Sequence, residues 1–208
     1  MAAADFDRTM AVTFGGTVNL VRELLPELRR TRGALVIVGS VTAQLPVPDM
    51  APYVAAKHAL RGFSNSLRLE LRRDHAGVEV TYLKPGHIST ALWERSTSAT
   101  GARLRLPPLS YRLEEVVDEI ERAVGSPGGE TTVGAASRAQ VVAFQLARPA
   151  CQATLRWASR FAATAHRAPS PGSLWEPAPV PRLRGTGTRG RPSLLGAVRR
   201  WSGRRGGP

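Results

Sequence analysis

Tyr53 and Lys57 stand four residues apart, and Ser40 lies thirteen residues upstream of the tyrosine. On a helix, positions i and i+4 share a face, so a phenol and an ammonium at this spacing point to one place. A cation beside a phenol favours the phenolate and lowers a pKa that otherwise lies near ~10. A tyrosine tuned in this way works as an acid/base closer to neutral pH. A serine hydroxyl beside it holds a carbonyl or alcohol oxygen in line for the proton. The chemistry suggested is hydride transfer at a carbonyl or carbinol carbon. Taken alone the pair is a weak signal, because any amphipathic helix supplies a half-buried tyrosine next to a solvated lysine.

The elements that must position these groups strengthen it. Residues 34–39 form a continuous apolar run rich in β-branched side chains and ending in Gly39, the pattern of a buried parallel strand. Ser40 falls just past its end, and open α/β sheets bind ligands outside the carboxyl ends of their strands. A loop with Pro46 and Pro48 follows, then an expected helix over 51–73 that carries Tyr53 and Lys57 in its first turns. A second strand is expected over 78–83, running into Lys84-Pro85-Gly86, and a weaker one near 131–134. Upstream, 6–30 reads as a helix with apolar positions Met10, Phe14, Val18, Val21, Leu24 and Leu25, and Pro26 predicts a bend or an early end. Further helices are expected over 114–124 and 149–165.

This order of strand, serine, loop, Tyr/Lys helix, strand and Pro-Gly loop resembles the short-chain dehydrogenase/reductase family over roughly residues 5–165. The resemblance implies a Rossmann-like doubly wound parallel α/β sheet. It gives Tyr53 the general acid/base role, Lys57 the roles of lowering the tyrosine pKa and binding the nicotinamide ribose, and Ser40 the carbonyl-orienting role. The family's Pro-Gly-x-Ile-x-Thr loop is matched by Pro85-Gly86-His87-Ile88-Ser89-Thr90, which implies cofactor contacts from Pro85, Gly86, Ile88 and Thr90. Within Lys57-His58-Ala59-Leu60-Arg61-Gly62-Phe63, His58 is implied to be a scaffold residue. Thr13 occupies the position where the family normally places an Asn that holds a water in its proton relay. Threonine has one hydroxyl and no amide, so it keeps only part of that hydrogen bonding.

The family's cofactor-binding turn, Thr-Gly-x-x-x-Gly-x-Gly, and its Asn-Asn-Ala-Gly do not occur in this chain. Such turns receive the pyrophosphate of a dinucleotide on backbone N–H groups and a helix N-terminus. Gly15-Gly16 and the glycines of 125–134 read instead as packing or turn glycines. The expectation is therefore a partial sheet lacking its first βαβ half, with weak nucleotide binding from these residues alone. NAD or NADP is the implied cofactor, and the residues that choose between them are among those missing. The substrate class is an alcohol or carbonyl small molecule. The alternative is a non-catalytic remnant that pairs with another subunit through its two long helices; in the family those helices form subunit interfaces, which implies a homo-oligomer.

At 208 residues, one domain with a sizeable core is expected. The family-like portion is 1–166. Residues 167–208 are rich in Arg, Pro and Gly and read as a disordered tail. That tail holds nine Arg against Glu176, a net +8 of the chain's +13. No aromatic stacking platform accompanies the charge, which argues against nucleic acid, and 194–201 permits only weak contact with a membrane surface. By the same resemblance, residues 91–109 occupy the place of the family's substrate lid. Cys151 is the only cysteine, which excludes an intrachain disulfide and fits a reducing compartment such as the cytoplasm. The four histidines show no metal-ligand spacing, so no metal is expected.

Overall fold

A parallel three-stranded sheet, with order β1 (Ala34–Val38), β2 (Glu79–Lys84), β4 (Gly129–Thr132), lies at the centre of the first of two compact units. The computed structural model describes residues 2–90, 102–104, 110–166 and 174–175. The first unit comprises 1–84 and 119–132, and the second 85–118 and 133–208. The register pairs Ile37 with Tyr82 and Val38 with Leu83 on one side, and Leu83 with Thr131 and Lys84 with Thr132 on the other. β2 is the middle strand and its residues Val80–Lys84 are all buried, as a parallel strand covered on both faces should be.

Two helical stretches cover this sheet. The first runs from Ala3 to Thr31 as α1 (Ala3–Met10), a π-helical turn (Ala11–Gly15) and α2 (Gly16–Thr31). Pro26 does not end it: α2 continues to Thr31 and closes on Arg32 in the left-handed conformation, φ 52°. Val21 is fully buried, with Phe14, Leu25 and Leu28 packed against the core, whereas Leu24 faces outward. The π turn falls on Thr13, whose carbonyl accepts a hydrogen bond from the Thr17 hydroxyl at 3.0 Å. The second is α3 (Ala51–Arg73), with Pro52 in its first turn, where a missing N–H costs nothing. It buries Ala56, Leu60, Ser64, Leu67 and Leu71 at helical spacing, and the three leucines join Ile37, Val80 and Tyr82 in the core.

In the second unit, α5 (Ala135–Leu146) and α6 (Arg148–Ala162) follow one another, and β3 (Ala102–Leu104) pairs antiparallel with β5 (Ala163–His166). α4 (Leu113–Gly125) is the helix expected over 114–124. The helix expected over 149–165 ends at Ala162 instead, because pairing with β3 draws the last residues into an extended strand. Most of the expected lid, and the tail apart from 174–175, lie outside the described residues. Among the described residues no helix is long and apolar enough to cross a membrane, and no cluster of His, Cys, Asp and Glu is arranged to hold a metal ion.

Candidate functional site

Ser40 lies one residue beyond Gly39 at the carboxyl end of β1. Gly39 is still tied to the sheet through its N–H, which donates to the Leu83 carbonyl at 2.8 Å. Ser40 then leaves the strand in an extended conformation and caps a short 3-10 turn, Val41–Ala43, accepting from the Thr42 N–H at 3.1 Å. Its hydroxyl is thereby buried and fixed in direction, and it acts on the Tyr53 phenol by lowering its pKa.

Tyr53 and Lys57 lie half-buried in the first turns of α3. The Lys57 ammonium donates to the Val38 carbonyl at 3.2 Å and lies 5.6 Å from the centre of the Tyr53 ring. Ser40, Tyr53 and Lys57 are thus brought together in one unit at the end of β1. The electrostatics differ from the sequence expectation. Burial pushes the Tyr53 phenol above its ordinary value, and the Ser40 hydroxyl offsets only part of that rise. Burial also pulls the Lys57 ammonium below its ordinary value. In both groups desolvation dominates, and the Lys57 ammonium is hydrogen-bonded to the Val38 carbonyl.

Below this pair, α3 continues the same stripe. Tyr53, Lys57, Arg61 and Asn65 recur every four residues, and the last two are bound by one carboxylate. Glu130 on β4 accepts from Arg61 Nε at 2.8 Å and Asn65 Nδ2 at 2.6 Å through one oxygen, and from Lys84 Nζ at 2.6 Å through the other. Burial alone would raise the Glu130 pKa, but these three donors outweigh it and hold the carboxyl at about 2. Sequence reading missed this cluster, since its members are separated by 46 to 69 positions. The one available signal was Lys84, one of only two lysines in the chain, at the end of a strand.

The Pro85–Thr90 loop follows β2 directly and belongs to the second unit. It pairs with the segment around Tyr111: Tyr111 N–H donates to the His87 carbonyl at 2.7 Å and Ser89 N–H to the Tyr111 carbonyl at 2.9 Å, with Ile88 bridged to Tyr111. Pro85 is buried. Gly86 lies so close to the Ser137 hydroxyl and the Tyr111 ring that a Cβ there would collide. Thr90 N–H donates to the Ile88 carbonyl at 2.9 Å. Burial lowers the His87 pKa, leaving a neutral imidazole. His58 is exposed on α3, its Nδ1 2.9 Å from the Val54 carbonyl, as expected of a scaffold residue.

A parallel sheet with a Ser/Tyr/Lys set at the carboxyl end of its edge strand defines a Rossmann-like α/β protein. Residues 1–101 match the family model short chain dehydrogenase, which places this stretch of the chain in that family. It is 38% identical over 102 residues to a dehydrogenase/reductase SDR family protein 7-like of Anopheles gambiae, covering 48% of this chain and 32% of that protein. It is 41% identical over 85 residues to mouse estradiol 17-beta-dehydrogenase 2, covering 41% of this chain and 22% of that one. Among solved structures it is similar to a short chain dehydrogenase from Burkholderia cenocepacia J2315 in complex with NADP, with TM-score 0.60 and 28% identity over 70% of this chain and 56% of that one. A short-chain dehydrogenase from Streptomyces avermitilis shares the fold at TM-score 0.57 and 19% identity, over 77% and 64% of the two chains. The matched region spans about a third of the length of the curated relatives.

Proposed function

We propose that this chain supplies the proton-transfer site of an NAD- or NADP-dependent oxidoreductase acting on an alcohol or carbonyl substrate. The observation that carries this reading is the convergence of Ser40, Tyr53 and Lys57 at the carboxyl end of β1. The donor set there suits the nicotinamide-ribose half of such a cofactor. An ammonium has three donor protons, of which one is directed at Val38, and phenol and serine hydroxyls lie beside it. Independently of that set, the family resemblance makes Pro85, Gly86, Ile88 and Thr90 candidates for cofactor contacts. The bound nicotinamide would supply or accept the hydride.

The residues of this chain do the rest. In the reducing direction the Tyr53 hydroxyl donates its proton to the substrate oxygen as that oxygen gains charge, and Ser40 orients the same oxygen. Lys57 favours the resulting phenolate by its charge. With its pKa raised, Tyr53 is protonated through neutral pH, which suits proton donation to a carbonyl better than proton removal from an alcohol. Activity on NADH and NADPH with a panel of carbonyl compounds tests the reading. Tyr53→Phe should lower turnover by ~10² or more; activity undiminished by that change refutes it.

Pairing with a second copy is the companion reading. Leu20 and Leu24, one turn apart on α2, are 59% and 43% exposed, and Val12 is 51% exposed on the preceding π turn. These side chains favour a helix-mediated homo-oligomer, and a chain acting only as a pairing partner would use the same face. A single cysteine supports a reducing, cytoplasmic setting.

A further inference from the structure

Tyr82 sits in the middle strand, with no exposed surface, directly beneath the Ser/Tyr/Lys set. A phenol in the fully buried centre of a sheet must have its hydroxyl satisfied, and here its proton goes to the backbone carbonyl of Lys57 at 3.1 Å. Its ring also fills the space beside Gly39: a Cβ on Gly39 would overlap the ring carbon bearing the hydroxyl and the hydroxyl itself. The residue before Ser40 therefore has no side chain because the ring of Tyr82 occupies that place. One side chain thus joins the turn that presents Ser40, through its ring packed on Gly39, to the helical turn that presents Lys57, through its hydroxyl.

On the acid/base reading of Ser40, Tyr53 and Lys57, on which this rests, we propose that Tyr82 is a positioning residue that sets the distance between the Ser40 turn and α3, and so the approach of the Ser40 hydroxyl to Tyr53. It touches no substrate and exchanges no proton in the reaction. β1 and α3 are separate elements, and shared core packing alone leaves them free to slide by fractions of an ångström. A hydrogen bond to α3 and a ring packed against Gly39 remove that freedom, and misplacement of ~1 Å at a reacting group costs ~10²-fold in rate.

The chain has three tyrosines, so Tyr53 can be followed by NMR in protein labelled with 13C at tyrosine Cζ, whose shift at pH 7 reports the hydrogen bond made by each phenol. Ser40→Ala sets the scale by removing the Ser40 hydroxyl outright. Tyr82→Phe keeps the ring and deletes the hydrogen bond to the Lys57 carbonyl; it should move the Tyr53 resonance in the same direction by roughly half that displacement or more, and add little when combined with Ser40→Ala. Gly39→Ala, which pushes on the ring from the other side, should do likewise, so the test does not depend on one variant folding. A Tyr53 resonance unmoved in both variants while Ser40→Ala moves it overturns the role of Tyr82. If Ser40→Ala itself leaves Tyr53 unmoved, the Ser40–Tyr53 reading fails first and takes this inference with it.

Discussion

Replacing Glu130 by Gln removes the charge that Arg61, Asn65 and Lys84 share, with little change of volume. The native carboxyl titrates at about 2 against an ordinary value of 4.5. That shift corresponds to about 3 kcal/mol of stability. A broken buried pair that leaves Lys84 uncompensated costs a similar ~3–5 kcal/mol. The sign follows from the direction of the shift. A lowered carboxylate pKa stabilises fully above the unfolded value of 4.5 and loses that stabilisation as pH falls towards about 2. Urea unfolding followed by circular dichroism at pH 7 should therefore show Glu130→Gln less stable by about 3 kcal/mol, or ~6–12 °C in Tm for a chain of this size. By pH 3 the difference between variant and parent should shrink to about half or less. A difference of under ~1 kcal/mol at pH 7, or one that stays constant down to pH 3, would refute the reasoning.

Arg32 ends α2 in the left-handed region, where a Cβ is strained. Arg32→Gly should stabilise the chain by about 0.5–1 kcal/mol in the same unfolding assay. Burial raises the Tyr53 pKa, so carbonyl reduction should hold level through neutral pH and fall as pH climbs through the phenol's pKa, while alcohol oxidation rises over that range; a pH–rate profile in both directions checks the sign. Leu20→Glu with Leu24→Glu should convert an oligomer to monomer by light scattering; a parent chain already monomeric at tens of micromolar would sink the pairing proposal.

The strands and α3 were legible because their signals are local: a β-branched run ending in Gly39, and apolar positions at helical spacing from Ala56 to Leu71. α2 was legible too, but Pro26 misled, since the tertiary contacts of Leu25 and Leu28 outweigh one lost hydrogen bond. α5 gave little warning because no Ser, Thr, Asp or Asn caps its start at Gly134. Ala163–His166 has no strand propensity of its own and is extended through its pairing with β3. At the site, the i,i+4 pair and the preceding serine carried the position of Ser40, Tyr53 and Lys57, while the direction of the Tyr53 pKa did not follow. A residue pattern fixes which groups meet, whereas desolvation depends on what closes over them. Tyr82 against Gly39, and Glu130 against Arg61, are contacts between distant parts of the chain with no motif to announce them.

The four-residue stripe of Tyr53, Lys57, Arg61 and Asn65 makes part of α3 intolerant of length change. One residue inserted between Lys57 and Arg61 turns everything beyond it by about 100°, so the Glu130 anchor and the Tyr53/Lys57 pair no longer face the same side. Point substitutions in that stretch lose one contact each; an insertion or deletion loses them all together. Beyond Asn65 the same event leaves the stripe in phase and disturbs only the Leu67 and Leu71 packing. Random single-codon insertions across α3 should accordingly divide near residue 65: before it they separate the site from the Glu130 anchor, and after it they leave the stripe in phase but cost stability through Leu67 and Leu71.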